Sequence, residues 1–227
     1  MSSKSWLSRS SFPWIITLLL AYFPPILPAQ TTYVDLKGTD GASSALGDGG
    51  AGGDAVTTVG ALAVLGIVGT EGFFRVIGGQ GGDATGPSGN GGAAGNASLT
   101  STGSVGVTMG ILRIVGGDGG DSASGGGGAS GQVAVSIASV SLSDGLLYVL
   151  GGLEGHGATG DGTASSVFVT LGAVSVIEGS EISISGRNGP CQVSVLGALT
   201  AQDSMLGFGE KGVTLTASSV AMTRTSL

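Results

Sequence analysis

The sequence is poor in the residues on which most enzyme sites and nucleic-acid surfaces depend. Its 227 residues include one cysteine and one histidine, and only 10% of them are charged. The single cysteine, Cys191, cannot form an internal disulfide bond, and the single histidine, His156, cannot supply a cluster of imidazole ligands for zinc or copper. Eight basic residues stand against fifteen acidic ones, which excludes the basic patch that nucleic-acid binding needs.

The pattern of an amphipathic helix, with apolar residues at i, i+3, i+4 and i+7, is also missing over any useful length. Apolar residues alternate with small polar ones instead, as in the run from Val133 to Leu142. An alternation with period two is typical of a β-strand that buries one face. The sequence therefore predicts an all-β fold, and the same alternation places Cys191 inward as a buried free thiol.

One pattern occurs three times in the middle of the chain and points to a repeat architecture. Residues 73–77, 111–115 and 146–150 are apolar runs that each lead directly into Gly-Gly, and a fourth run starts at Glu181. The starts are 38, 35 and 35 residues apart. Repeats of this length are typical of stacked structural units that share one continuous core.

Each repeat divides into three short strands, and the distances between them distinguish the corners. Two corners are nearly constant at 5 or 6 residues, apart from a longer first one, and the third carries a glycine-rich insertion that shortens toward the C-terminus. This pattern predicts a three-sided parallel β-helix of about six coils with the glycine-rich loops at one corner. We expect a right-handed helix, because crossovers between parallel strands strongly prefer that hand.

The first 29 residues have the composition of a secretory signal peptide. Lys4 and Arg9 precede an uncharged apolar stretch, residues 14–23, and Leu27-Pro28-Ala29 offers a cleavage site. Ten apolar residues are too few to span a membrane, which needs about 20. Removal of two positive charges from a net charge of −7 leaves a mature chain of −9. We expect a secreted protein, outside the cell or at its surface, with no membrane insertion after cleavage.

Residues 30–227 are predicted to form a single β-solenoid domain. Within it we expect an irregular first coil at 31–72, regular coils at 73–179 and coils with short corners at 180–227.

Three glycine-rich segments match the first part of the calcium-binding G-G-x-G-x-D-x-U-x repeat and contribute Asp54, Asp83 and Asp121. Carboxylates and loop carbonyls suit calcium, but the aspartates are 29 and 38 residues apart, whereas tandem sites repeat every nine residues. Solvated turns are the alternative. If the loops stack, the three aspartates form an acidic row, and calcium is the one cofactor that the sequence suggests.

The sequence contains no catalytic constellation, and we expect a protein without enzymatic activity. The alternative is a carbohydrate-active β-helix of the lyase or hydrolase type, whose sites combine carboxylates with Arg or Lys. Only Arg75 and Arg113 are predicted to stack, in a column that ends at Tyr148. Ice binding is a lesser alternative that requires aligned ranks of Thr, and Thr57, Thr100 and Thr170 read as scattered.

The outward positions of the first strand in the middle coils form an apolar stripe. Its members are Phe73, Ile77, Ile111, Val115, Leu146, Tyr148 and Leu150. An uncovered stripe of this kind would be sticky, and the long glycine-rich insertions occur in the same coils. We therefore expect the segments 78–95, 116–131 and 151–164 to fold back over the stripe; if they do not, the stripe is a candidate interface.

Short alternating strands joined by Gly-Gly-Asp-Gly-Gly segments such as 116–120, behind a signal peptide, resemble the β-solenoid passenger regions of bacterial autotransporter and filamentous-haemagglutinin-type surface proteins. The resemblance implies a structural or adhesive role at the cell surface. The partners it implies are a cell-surface glycan or another copy of the chain, and no nucleic acid.

Overall fold

The computed structural model describes residues 32–209 and 213–226. The predicted signal peptide, residues 1–29, lies outside the described residues. These described residues cluster as one compact unit.

Thirteen β-strands account for the regular secondary structure of the described residues, which contain no α-helix. In chain order they are β1 (Tyr33–Lys37), β2 (Ala55–Val59), β3 (Leu62–Leu65), β4 (Gly72–Ile77), β5 (Ala97–Thr108), β6 (Gly110–Val115), β7 (Val133–Ser143), β8 (Leu146–Leu150), β9 (Val167–Ile177), β10 (Glu181–Ser185), β11 (Cys191–Gln202), β12 (Met205–Phe208) and β13 (Val213–Thr223). The prediction of an all-β chain is confirmed.

All strand pairs are parallel, and the strands form two sheets. The six-stranded sheet has the order β1-β4-β6-β8-β10-β12, and the seven-stranded sheet has the order β13-β11-β9-β7-β5-β2, with β3 also paired to β5. Successive strands of a sheet therefore come from successive repeats of the sequence. This stacking is the arrangement expected of a β-solenoid, because parallel neighbours require a crossover and the other sheet supplies it.

From the second coil onward, the second and third strands predicted in each repeat are one continuous strand in the structure, whereas β2 and β3 of the first coil are separate. β5, β7, β9, β11 and β13 are each 11 or 12 residues long and lie in a single sheet. β5 and β11 are one residue longer than their neighbours, and the register shifts there, between Ser101 and Ser104 and between Val195 and Ala198. No proline interrupts the long strands, and the extra residue of β5 and of β11 is accommodated as a bulge.

The core lies between the two sheets and consists of the inward residues of the alternation. Leu99, Leu112, Ile114, Leu142 and Leu147 are fully buried in it. Burial of a side chain of this size stabilises the fold by about 1.5–3 kcal/mol. Cys191 lies in the same core as a free thiol, as predicted, and burial raises its pKa, which makes the reactive thiolate rare.

The corner that leads from the seven-stranded sheet to the six-stranded sheet has the same backbone conformation in successive coils. A residue other than glycine adopts a φ near +50° at each turn; these residues are Met109, Asp144, Glu178, Asp203 and Arg224. Asp tolerates the left-handed region better than Met, Glu or Arg does. The corner is therefore held by the backbone pairing of the coils at a cost in local strain.

We expect Glu178→Asn to stabilise the protein, because Glu178 is exposed with φ at 49° and Asn adopts that conformation more readily. The free energy of unfolding should rise by about 0.5–1 kcal/mol, measured by thermal unfolding. The same replacement at Ser175, an outward position of β9 in ordinary strand conformation, is the control. An equal gain from Ser175→Asn would show that relief of the left-handed corner is not the cause.

Candidate functional site

The glycine-rich segments that leave the six-stranded sheet pair with one another at every third residue. Gly78, Gly81 and Ala84 donate backbone hydrogen bonds to the carbonyls of Val115, Asp118 and Asp121, at 2.9, 2.8 and 2.8 Å. The same spacing of three joins each pair of neighbours among the segments 38–44, 78–84, 116–122 and 151–157. We call these the outgoing segments. They continue the ladder of the strands β1, β4, β6 and β8.

A second set, the returning segments, leads back to the seven-stranded sheet with the same period. Gly91 and Ala94 donate to the carbonyls of Gly126 and Ala129, at 2.9 and 2.8 Å. The set comprises 49–54, 90–96, 126–132 and 160–166. A period of three without hydrogen bonds inside the segment is the geometry of a polyproline II helix. Each of the four coils that start with β1, β4, β6 and β8 thus inserts two such helices, and together they form a two-layered bundle, the glycine bundle.

The two layers of the glycine bundle are joined by backbone hydrogen bonds that only glycine permits. Gly92 donates to Gly82 and Gly95 donates to Gly79, both at 2.8 Å, so the layers run antiparallel. A Cβ added at Gly120 would overlap the carbonyl of Gly82. The G-G-x triplets of the sequence therefore place two glycines in the interior and one side chain on the surface at each turn.

The glycine segments do not take the course predicted for them. Their hydrogen bonds extend the sheets beyond the strand ends and pair the segments with one another, so the expected cover over the apolar stripe is wrong. Of the seven stripe residues, Val115 is buried and the other six are half-buried, since each packs against the same column in the next coil. The expectation failed because a lid and a paired bundle have the same glycine-rich composition.

The three predicted calcium aspartates are divided between the two layers. Asp83 and Asp121 share one column of the outgoing layer with Ser43 and His156, whereas Asp54 lies on the returning layer beside Asn96. No group of three or more His, Cys, Asp or Glu side chains in the described part of the chain is arranged to hold a metal ion. The single acidic row of three aspartates that the sequence suggested is therefore not formed.

The carboxylates of these columns accept hydrogen bonds from the backbone of the next coil. Asp83 Oδ1 accepts from the amide of Asp121 at 2.9 Å, and Asp121 Oδ1 accepts from the amide of His156 at 2.7 Å. Asp54 Oδ1 accepts from the amide of Asn96 at 2.7 Å. A hydrogen bond to a charged acceptor is stronger than a neutral one, so each side chain ties two coils together.

The outer face of the seven-stranded sheet is a surface whose strands carry no charged side chain. None of its strands contains Asp, Glu, Lys or Arg. The outward positions are mostly Ser, Thr, Ala and Gly, apart from a few larger side chains such as Phe168. The charged residues lie at corners, on the six-stranded sheet and on the glycine bundle instead.

One column of this face carries a hydroxyl group in every coil. The parallel register aligns Thr58, Thr100, Ser136, Thr170, Ser194 and Thr216, which we call the hydroxyl column. The register corrects the expectation from the sequence that Thr100 and Thr170 are scattered. Thr57 does not belong to the hydroxyl column. It pairs with the inward residue Leu99, whereas the outward position of its coil is Thr58.

The predicted column of Arg75, Arg113 and Tyr148 is confirmed by the register of β4, β6 and β8. Arg75 forms an ion pair with Asp35 of β1. The Tyr148 hydroxyl lies 3.4 Å from Glu181 Oε2, and burial is the main cause of the raised pKa of Tyr148. The Arg113 Nε is buried without a hydrogen-bond partner among the described residues. The column is thus a polar line within an apolar stripe. Among the described residues its one arginine–carboxylate contact, between Arg75 and Asp35, joins the neighbouring strands β4 and β1.

No protein-family model and no curated protein matches the sequence. A solved structure that it resembles is the nine polyproline type II helical bundle springtail antifreeze protein from Granisotoma rainieri. The identity is 26%, over 58% of this chain and 90% of that chain, with a TM-score of 0.29. A TM-score this low means that the two chains do not superpose as one fold. Within the described residues, no helix is long and apolar enough to cross a membrane.

The packing of the bundle predicts different losses of stability for alanine substitutions at two of its glycines. Gly120→Ala should lower the free energy of unfolding by about 1–3 kcal/mol, as overpacking does, because its Cβ meets the Gly82 carbonyl. Gly126→Ala is the matched control, since the nearest atom to its Cβ lies at 3.6 Å. Thermal unfolding measures both. Equal stability of the two variants would contradict the close approach of the layers.

The Asp121 carboxylate should stabilise the bundle as a hydrogen-bond acceptor. Asp121→Ala is expected to cost about 1–2 kcal/mol of unfolding free energy, whereas Asp121→Asn keeps an acceptor oxygen and should lose less. A loss of the same size in both variants would show that charge, and not the hydrogen bond to His156, is what matters.

Calcium can be tested on the same column. An ion held by Asp83 and Asp121 should raise the melting temperature at millimolar calcium by mass action. The Asp83→Asn/Asp121→Asn variant should lose that rise, and Asp54→Asn, on the other layer, should keep it. An absent rise, or one that survives in the double variant, would leave these carboxylates with their backbone role alone.

Proposed function

We propose that the chain is a secreted, non-catalytic structural or adhesive solenoid that attaches to an extended, ordered surface through its seven-stranded sheet. The observation that carries the proposal is the outer face of this sheet, which has no charged side chain and bears the hydroxyl column. The resemblance to bacterial surface passenger regions is in line with this role. A cell-surface glycan is the partner that we favour.

The physical argument is one of matching polarity. A polymeric glycan presents neutral hydroxyl and C–H groups, and a surface of Ser, Thr and Ala can contact them without the cost of desolvating a charge. Each contact is weak, but contacts repeated at the strand spacing of about 4.8 Å act together, as in multivalent binding.

For the architecture, we infer that the stacked repeats form six coils of a right-handed, three-sided solenoid. The alternation of buried residues breaks in the middle of the long strands, for instance between Ile137 and Val140 of β7, which supports a corner and a third side there. The handedness follows the general preference of parallel crossovers. The flat sides of such a solenoid supply the rigid, repetitive face that attachment to an ordered surface requires.

Ice is a second candidate surface, favoured by one specific observation. The hydroxyl column places Thr or Ser at the same position of six neighbouring strands, which is the aligned rank that the sequence alone did not reveal. A β-branched Thr holds its hydroxyl and methyl groups in a restricted orientation, so the column forms a regular array of donors and methyl groups on a sheet.

A binding assay on the mature protein tests both surfaces with one pair of variants. We expect Thr100→Lys/Thr170→Lys to reduce binding at least tenfold, because it puts two charges in the middle of the hydroxyl column. Ser183→Lys places a charge on the outward side of β10 in the other sheet and should bind as the wild type does.

Binding is measured by sedimentation with insoluble glucan, chitin and peptidoglycan, and by partition into growing ice. Retention on a glycan that the double variant loses supports the adhesive role, and retention on ice alone supports the second candidate. Retention on no surface, or equal loss in Ser183→Lys, would overturn the assignment of this face.

A further inference from the structure

The C-terminal end of the solenoid leaves core positions uncovered. The register places Leu215 and Val220 of β13 over Val193 and Leu199 of β11, which face the core. Val193 and Leu199 are 2% and 3% exposed, whereas Leu215 is 37% exposed and Val220 is 51% exposed. The difference arises because no further coil of the described chain lies over β13.

The free edge of β13 also lacks the features by which proteins protect an edge strand. β13 is an end strand of the sheet, and within the described residues its only strand partner is β11. Its eleven residues include no charged residue and no proline. Charges, prolines and short length normally prevent an edge from pairing with another chain. At the opposite end of the same sheet, β2 and β3 also carry no charge but are only five and four residues long, and β1 of the other sheet carries Asp35 and Lys37.

The first and last described coils differ in cross-section, and this difference favours one way of stacking two copies over another. The first coil includes the polyproline II segments 38–44 and 49–54, whereas in the last described coil only residues 209–212 separate β12 from β13. A head-to-tail stack would oppose two different cross-sections. A tail-to-tail stack opposes identical ones.

β13 is complementary to itself in an antiparallel arrangement with a two-fold axis between Ala217 and Ser218. This register pairs inward with inward residues and outward with outward ones: Leu215 lies opposite Val220, Thr216 opposite Ser219, and Thr214 opposite Ala221. The match is possible because the inward positions of β13 change parity at mid-strand: Leu215 pairs with the inward residue Val193 of β11, and Val220 pairs with the inward residue Leu199. A strand with unbroken alternation would place inward residues opposite outward ones about that axis.

We propose that two copies of the chain associate tail to tail through antiparallel pairing of their β13 strands. The pairing covers Leu215 and Val220 of each copy and satisfies the free backbone groups of both edges. Ser226 already pairs with Met205 at the free edge of β12, so the interface centres on β13. An isologous contact of this kind closes as a dimer and does not propagate into a filament.

The dimer would extend the uncharged face. Thr216, the last member of the hydroxyl column, would lie beside Ser219 of the other copy, so the seven-stranded sheets of the two copies would form one continuous surface. This consequence extends the proposed attachment face, but the pairing itself does not depend on what that face binds.

Analytical ultracentrifugation of the mature protein over a range of concentrations tests the oligomeric state. We expect a dimer in the wild type and a monomer in Val220→Lys, which buries a charge at the interface. Leu36→Lys, at an inward position of β1 that is 37% exposed, is the matched control and should remain dimeric. Circular dichroism checks that each variant is folded.

A pair of cysteines tests the register. Directly opposite residues of an antiparallel pair have Cα atoms about 4.5–5.5 Å apart, within disulfide range. Thr216→Cys/Ser219→Cys should therefore give a covalent dimer on mild oxidation, whereas Thr216→Cys/Ala221→Cys, whose cysteines are not opposed, should give much less. Cys191 is buried and should not react in either variant.

The outcomes are distinct from those of the surface-binding assay. A concentration-dependent dimer that Val220→Lys abolishes and Leu36→Lys retains, with the cross-link at 216 and 219, establishes the tail-to-tail pairing. A monomer at all concentrations would overturn it. Long assemblies lost in both Lys variants would overturn it in favour of head-to-tail stacking.

Discussion

Backbone hydrogen bonding between successive coils is the interaction on which the whole structure depends. Every coil offers its amides and carbonyls to the coils above and below, and this holds for the strands and for the glycine segments alike. An unpaired backbone group that is buried costs as much as a lost hydrogen bond, so each coil must follow the path of its neighbour. The aligned side-chain columns are a consequence of this pairing.

The backbone pairing between coils is compatible with two different side-chain periods within one coil. In the strands the side chains alternate every two residues and the apolar half fills the core. In the glycine bundle the period is three, and two of three residues must be glycine where the layers meet. The bundle therefore has almost no apolar core. It is held by backbone hydrogen bonds and by carboxylates such as Asp83 and Asp121, which accept from the coil beyond.

The charged residues of the described chain are distributed unevenly between the glycine bundle, the corners and the two sheets. Acidic side chains project from the glycine bundle, as at Asp83 and Asp121, and from corners such as those at Asp144 and Glu178. The seven-stranded sheet is left neutral, which suits contact with a neutral, repetitive surface. Its end strand β13 is left neutral as well, and an edge of that kind favours a partner.

The repeats of the sequence were enough to predict the parallel stacking of the coils, and the column of Arg75, Arg113 and Tyr148 followed because the runs that carry it are equally long and start at equivalent positions. The alternation predicted the all-β fold and the inward position of Cys191, because a period of two assigns each residue to a face. The alignment of Thr58 with Thr100 and Thr170, and the separation of Asp54 from Asp83 and Asp121, required the register between coils. The pairing of the glycine segments was also beyond the sequence. Composition is the same for a loose loop and for a bundle, and only tertiary hydrogen bonds between distant residues distinguish the two.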